Sequence, residues 1–331
     1  MSFEHVPVMA KEIIALVQET PALTAPGSQR IIIDATLGGG GHSKLLLEAR
    51  PQDRLIAFDR DSQAIEAARK TLAPYMDRVE IIHSGFADIG EEIRRRNLQG
   101  EVAIVLFDLG VSSHQLDSKE RGFTYRHDDA PLDMRMDSSE NLTAEIIVNE
   151  YSQEDIERIL RENADERFAR SIAREIVRAR PLNNAGDLVA AIRRGMPHRF
   201  QRLGHPAKRT FQALRMEVNK ELDQVAEALE ESVHLLAPGG RILVLSYHSG
   251  EDRIAKETFS RHIAEKAMTP DGRPVPVEGT MQVPGYDSSV RLVSVSAPKK
   301  PTRAERDSNP RSKSARLRVA QVEQYKQASG M

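Results

Sequence analysis

IIIDATLGGGGHSKLLL (residues 31–47) sets four consecutive glycines a few residues after a run of isoleucines. Glycine loses more conformational entropy on folding than any other residue, so such a cluster implies a use for bare backbone. The stretch reads as a buried strand from Ile31 to Asp34, a tight turn from Gly38 to Gly41, and a helix from Ser43 that carries Leu45, Leu46 and Leu47. A glycine turn between strand and helix lets a ligand approach the backbone near the positive end of the helix.

The same rhythm continues outward. Leu55 to Asp59, Val79 to His83 and Val102 to Asp108 are strand-length apolar runs separated by helical or polar stretches, as in a parallel sheet covered on both faces. It stops near Gln115, where a polar segment punctuated by Gly and Pro runs to Asp137 and suggests an active-site loop. Residues 142–194 then read as helical, with Ser152 placed to cap one helix. In ERFARSIAREIVRAR, Phe168, Ile172 and Ile176 form an apolar face opposite Arg167, Arg170, Arg174 and Arg178. One long helix is expected from Lys208 to Leu236, followed by strands at 241–248 and 290–296. The expected organisation is an α/β domain formed by residues 1–113 and 216–331. Residues 114–215 are its inserted loop and helical substrate-recognition domain, and residues 298–318 are a basic C-terminal segment.

The glycine turn fits neither of two common nucleotide patterns. A P-loop needs a second glycine followed by Lys and a hydroxyl, and the order around Ser43 and Lys44 is wrong. A dinucleotide fingerprint needs a third glycine where Ser43 stands. The pattern present is an acid closing the first strand (Asp34), the glycine turn, and a second acid closing the next strand (Asp59). A carboxylate at Asp59 suits the two ribose hydroxyls of an adenosine, and no pyrophosphate cradle is evident, which favours S-adenosylmethionine over NAD. The alternative is that Asp34 caps the turn that follows it and Asp59 caps the helix after DRDS. Phe86 follows the third strand, where an adenine would lie, and Asp108 ends the fourth, at the cofactor's methionine end.

The chain has 331 residues, 40% hydrophobic and 29% charged, with no cysteine, which excludes disulfides, thiolate zinc sites and cysteine nucleophiles. Its N-terminus reads as neither a signal peptide nor a membrane span, so a cytoplasmic protein is expected. Net charge is −2, yet residues 193–215 carry seven Lys/Arg and no acid, and residues 298–318 carry eight against two acids. Such stretches suit a phosphate backbone or, equally, a solvated surface.

HVPVM, DATLGGGGHS, AFDRD, DLGVSSHQLD, RGFTY, PLDMRMD, HPAKRTFQALR, LAPGGR, SYHSGEDR and NPRSKSARLR occur in an order that resembles the small-subunit ribosomal RNA methyltransferases of the MraW type, across nearly the whole chain. The resemblance implies a class I methyltransferase fold, Rossmann-like, with a seven-stranded, mostly parallel sheet and an inserted helical domain. It further implies S-adenosylmethionine-dependent methylation of the exocyclic N4 of a decoding-centre cytidine in 16S rRNA, presented by the 30S subunit or a late assembly particle. Its cofactor contacts fall on Gly40, Gly41, His42, Asp59, Phe86, Asp108 and Gln115. Gly250, in SYHSGEDR, stands where a larger apolar residue is expected.

Methyl transfer to a conjugated amine asks the protein mostly for positioning and for an oxygen that accepts from N4–H. The candidate acceptors are Asp133, then Ser112 and Ser113; Asp133 also has Arg135 as a pairing partner, and the serines could cap a helix. Phe123 and Tyr125 are placed either to stack a base or to anchor the loop. His248 is a further candidate, without flanking metal ligands, and no metal is expected. Candidate RNA contacts are Arg199, Arg202, Lys208, Arg209, Arg174 and Arg178, then residues 299–318. A methyltransferase acting on tRNA and an inactive RNA-binding assembly factor are the competing readings.

Overall fold

The computed structural model describes residues 7–24, 29–111, 118–202, 204–262, 292–294 and 297–323. The chain divides into two compact units, Met1–Gly110 with Gln224–Met331, and Val111–Asp223. The first unit opens with α1 (Ala10–Gln18), α2 (Pro21–Thr24), β1 (Ile31–Asp34), α3 (Gly41–Ala49), β2 (Arg54–Asp59), α4 (Ser62–Thr71), β3 (Val79–His83), α5 (Ile89–Arg95) and β4 (Val102–Asp108). The second contains α6 (Ala144–Glu150), α7 (Gln153–Ala164), α8 (Ala169–Arg178), α9 (Ala185–Gly195), α10 (His198–Gln201) and α11 (Lys208–Asn219). The chain then continues through α12 (Glu221–Leu235), β5 (Leu236–Ser246), α13 (Ser249–His262), β6 (Leu292–Ser294), α14 (Arg303–Ser308) and β7 (Arg316–Val322).

The strands form a seven-stranded sheet in the order β3-β2-β1-β4-β5-β7-β6, parallel from β3 to β5, with β7 antiparallel to both neighbours. Alternation explains its burial on both faces. Ile32, Leu55, Ala57, Ile104, Leu106, Leu243 and Leu245 enter one core, and Ile31, Ile33, Ile56, Phe58, Val105, Phe107, Ile242 and Val244 enter the other. Strand order reverses between β1 and β4, the switch point outside whose carboxyl ends open α/β sheets bind ligands. Register sets Asp34 opposite Leu106, so β4 extends further and carries Asp108 past the end of β1.

The inserted unit has its own core, in which Ile147, Ile159, Ile172, Ile176, Leu188, Ile192 and Leu214 are fully buried. Ser152 caps α7 as expected, its Oγ accepting from the Asp155 N–H at 3.1 Å. The PLDMRMD segment alternates: Leu132, Met134 and Met136 enter this core, while Asp133, Arg135 and Asp137 stay partly exposed. Asn219 secures it, accepting from Met136 N–H and donating to the Met134 carbonyl, both at 2.8 Å.

Three expectations need correction. The long helix from Lys208 to Leu236 is two helices, α11 and α12, broken at Lys220, whose φ of 49° is left-handed. Apolar spacing runs unbroken through the break, so periodicity alone conceals it. The insertion extends beyond residue 215, because α11 buries Phe211, Leu214 and Val218 in the insertion's core. The basic segment at 298–318 is largely built structure: it forms α14 and enters the sheet as β7, where Arg316 and Arg318 pair with Asp252 at 2.9 and 2.7 Å. No helix among the described residues is long and apolar enough to cross a membrane.

Candidate cofactor site and basic surface

In the first unit, the segments that end or follow β1 to β5 lie at the carboxyl edge of the parallel strands. Gly38 and Gly40 adopt φ of 51° and 80°, a region that L side chains enter at a cost, which is why the turn needs glycine there. A Cβ added to Gly39 would meet nothing within 4 Å, so the turn presents open backbone. At Gly41 a Cβ would lie 2.9 Å from Pro7, so Pro7 packs directly against the start of α3.

Asp59, at the end of β2, accepts from the Gly38 and Asp61 backbone N–H groups, each at 2.8 Å. Burial raises its carboxyl pKa to about 6, against the opposing pull of those two bonds. Asp34 is buried and holds Ser43 Oγ at 2.6 Å, and desolvation raises its carboxyl pKa as well. Ser43, which rules out a third fingerprint glycine, thus closes the turn onto β1.

Asp108 is held from three directions. Its backbone N–H donates to Thr36 Oγ1 at 2.7 Å, its Oδ1 accepts from Tyr247 Oη at 2.6 Å, and its Oδ2 lies 3.3 Å from His42 Nδ1. His42 Nε2 faces the Val8 carbonyl at 3.0 Å. A carbonyl only accepts, so Nε2 carries a proton, and a second proton on Nδ1 is favoured by the facing carboxylate. Burial works against that charge, but Asp108, Asp34 and the Val8 carbonyl together outweigh it and the imidazole pKa is raised. Phe86 packs edge-on to Phe107, with ring centroids 6.0 Å apart. Glu251 braces the SYHSGEDR turn: it accepts from the Tyr247 N–H at 2.7 Å, and its other oxygen lies 3.0 Å from His248 Nε2. Thr36 and Tyr247 were not among the residues expected at the site; the only sequence signal for Tyr247 was its place beside His248 at a strand end.

The residues suit S-adenosylmethionine: open backbone after β1, an acid after β2 for ribose hydroxyls, an aromatic after β3 and an acid after β4. Gln115, Ser112 and Ser113 lie outside the described residues. Glu230, His234 and His262 form a grouping with donor atoms within 4.8 Å, but Arg261 and His262 already occupy the Glu230 carboxylate at 2.8 and 2.6 Å.

In the inserted unit, Arg135 takes both oxygens of Asp133, at 2.8 and 2.9 Å, and its backbone N–H adds a third bond. Although burial opposes ionisation, Arg135 holds the Asp133 carboxyl below the usual carboxylate range. Phe123 is buried, and Tyr125 stacks on His205 with centroids 4.2 Å apart, so both aromatics anchor the loop. Arg174, Arg178, Arg199, Arg202 and Lys208 are exposed. Arg199 and Arg167 lie over the Phe200 ring, 5.0 and 5.7 Å from its centroid. Arg209 donates to the Asp165 carbonyl at 2.9 Å.

The sheet order, the glycine turn and the acids after β2 and β4 define a class I S-adenosylmethionine-dependent methyltransferase. The chain belongs to the MraW methylase family, which it matches over residues 2–323. It is 46% identical over 321 residues to a ribosomal RNA small subunit methyltransferase H of Thermobifida fusca, covering 96% of this chain and 93% of that protein. It is 44% identical over 329 residues to the protein of the same name from Paenibacillus sp., covering 96% and 99%.

Proposed function

We propose that this methyltransferase acts on the exocyclic N4 of a decoding-centre cytidine in 16S rRNA, presented by the 30S subunit or a late assembly particle. The observation that carries the reading is the convergence of the Gly38–Gly41 turn, Asp59 and Asp108 on one sheet edge. The names of the relatives support a small-subunit rRNA substrate.

Bound S-adenosylmethionine supplies an electrophilic methyl carbon on a sulfonium sulfur. Asp59 would accept from the ribose hydroxyls, Phe86 would lie beside the adenine, Asp108 would face the methionine end, and Gly40, Gly41 and His42 would add contacts from the turn. The amine gains positive charge as it attacks, so an acceptor for N4–H favours the transition state. Asp133 is our candidate. A carboxylate offers about four acceptor positions, and Arg135 fills three of those on Asp133. Arg174, Arg178, Arg199, Arg202 and Lys208 are positioned by their exposure to contact phosphates, and Arg209 has a bracing bond besides.

Methyl-labelled S-adenosylmethionine, offered with naked 16S rRNA, assembled 30S particles or tRNA from cells lacking the enzyme, tests the reading. Label on cytidine N4 of the 30S particle, lost with Asp59→Ala, supports it. Label on tRNA selects the tRNA alternative. Cofactor binding with no transfer to any RNA selects the assembly-factor alternative.

A further inference from the structure

We propose that Tyr247 is a positioning residue for cofactor binding that acts through Asp108, one arm of a clamp whose other arm is His42. The inference rests on the reading of Asp108 as a cofactor contact.

The two arms come from different parts of the fold. Tyr247 directly follows β5, and His42 lies in the first turn of α3, yet both meet the carboxylate at the end of β4. A carboxylate after a strand can swing about two side-chain torsions. Here Oδ1 is tied to Tyr247 at 2.6 Å and Oδ2 faces His42 at 3.3 Å, while Thr36 holds the backbone N–H. One lone pair on each oxygen, its direction fixed by these bonds, is left for a ligand.

Tyr247 is itself held. Glu251 accepts its N–H, and its ring lies 3.6 Å from the position of a Cβ on Gly110, a residue with φ of 102°. Burial and the negative charges of Asp108, Glu251 and Glu305 all disfavour the phenolate, so the hydroxyl remains a donor. The arrangement orients Asp108 before the cofactor arrives, and preorganisation of this kind lowers the cost of binding.

Calorimetric titration of S-adenosylmethionine into wild type, Tyr247→Phe, Asp108→Asn and the double variant tests the proposal. Phenylalanine keeps the ring in place, and urea midpoints of the four ligand-free proteins show that each is folded. Loss of a hydrogen bond to a charged group is expected to raise Kd roughly tenfold in Tyr247→Phe. In the Asp108→Asn background the same change is expected to add less than about twofold, the mark of two residues acting as one unit. An unchanged Kd in Tyr247→Phe alongside a weakened Asp108→Asn overturns the proposal, as do single effects that multiply in the double variant. An unchanged Kd in Asp108→Asn overturns the underlying reading of Asp108 instead.

Discussion

Asp59 Oδ2 accepts from the Gly38 backbone N–H at 2.8 Å, so the acid after β2 and the glycine turn after β1 are fastened to each other. The bond joins two parts of the proposed cofactor site across neighbouring strands, and it leaves a carboxyl whose pKa is raised by burial to about 6.

The pH dependence of cofactor binding follows. Below about 6 the Asp59 carboxyl carries a proton and accepts poorly from ribose hydroxyls. Affinity for S-adenosylmethionine should therefore fall as pH is lowered through that value, and Asp59→Asn should bind weakly with that inflection gone. Stability of the ligand-free protein moves the other way. The folded pKa lies above the unfolded one, so folding takes up a proton between the two, and this group's contribution declines as pH rises through that window. Titration calorimetry and urea unfolding across the window read the two trends.

Gly40→Ala should weaken both the fold and cofactor binding. Its φ of 80° is left-handed, and a Cβ there would stand 3.3 Å from Leu72 and 3.4 Å from Ala68. A left-handed L-residue costs about 1–2 kcal/mol. A lowered urea midpoint measures that loss, and Gly39→Ala, where a Cβ meets nothing within 4 Å, is the comparison with smaller effect on folding.

Asp252→Asn should loosen β7. Burial opposes its charge, yet Arg318 and Arg316 together hold its carboxyl below the usual range. The folded pKa is depressed, so the pair's stabilisation is present above the unfolded carboxylate pKa and is lost as pH falls through the folded one. Removing the charge should cost about 1–3 kcal/mol at neutral pH. Urea unfolding at neutral and acid pH checks this, with the variant less sensitive to acid than wild type.

Asp133→Asn and Arg135→Ala separate brace from acceptor. Each breaks the same ion pair and should lower stability by about 1–2 kcal/mol. If Asp133 accepts from N4–H, its replacement lowers kcat well beyond the effect of Arg135→Ala. Equal kcat in the two variants would reduce Asp133 to a loop brace.

Arg199→Ala and Arg202→Ala should weaken RNA binding without changing the affinity for S-adenosylmethionine. Each lost phosphate contact is expected to reduce the slope of log K against log salt by about 1. Filter binding of 16S rRNA over a salt series checks this, and an unchanged slope would remove these residues from the interface.

Much of the fold was legible from local pattern. Alternating apolar runs identify β1, β2, β4 and β5, because a strand buried on both faces must be apolar throughout, and glycines identify the turn, because left-handed backbone selects them. Asp59 and Asp108 were legible for the same reason: a strand's last residue marks the sheet edge whatever its neighbours are. The break at Lys220 was not legible, since one left-handed residue leaves apolar spacing intact. Nor was the fate of the basic segment, because Arg316 and Arg318 are read as surface charge until Asp252, more than sixty positions earlier, is placed beside them.

The amino-acid sequence by itself thus determined the class of fold, the glycine turn after β1 and the acids that end β2 and β4, all properties of residues close together in the chain. Tertiary structure alone decided which groups hold those acids in place. Tyr247 reaches Asp108 across 139 positions, and His42 reaches Val8 across 34. Such contacts depend on strand order and register, which bring distant side chains within hydrogen-bond range.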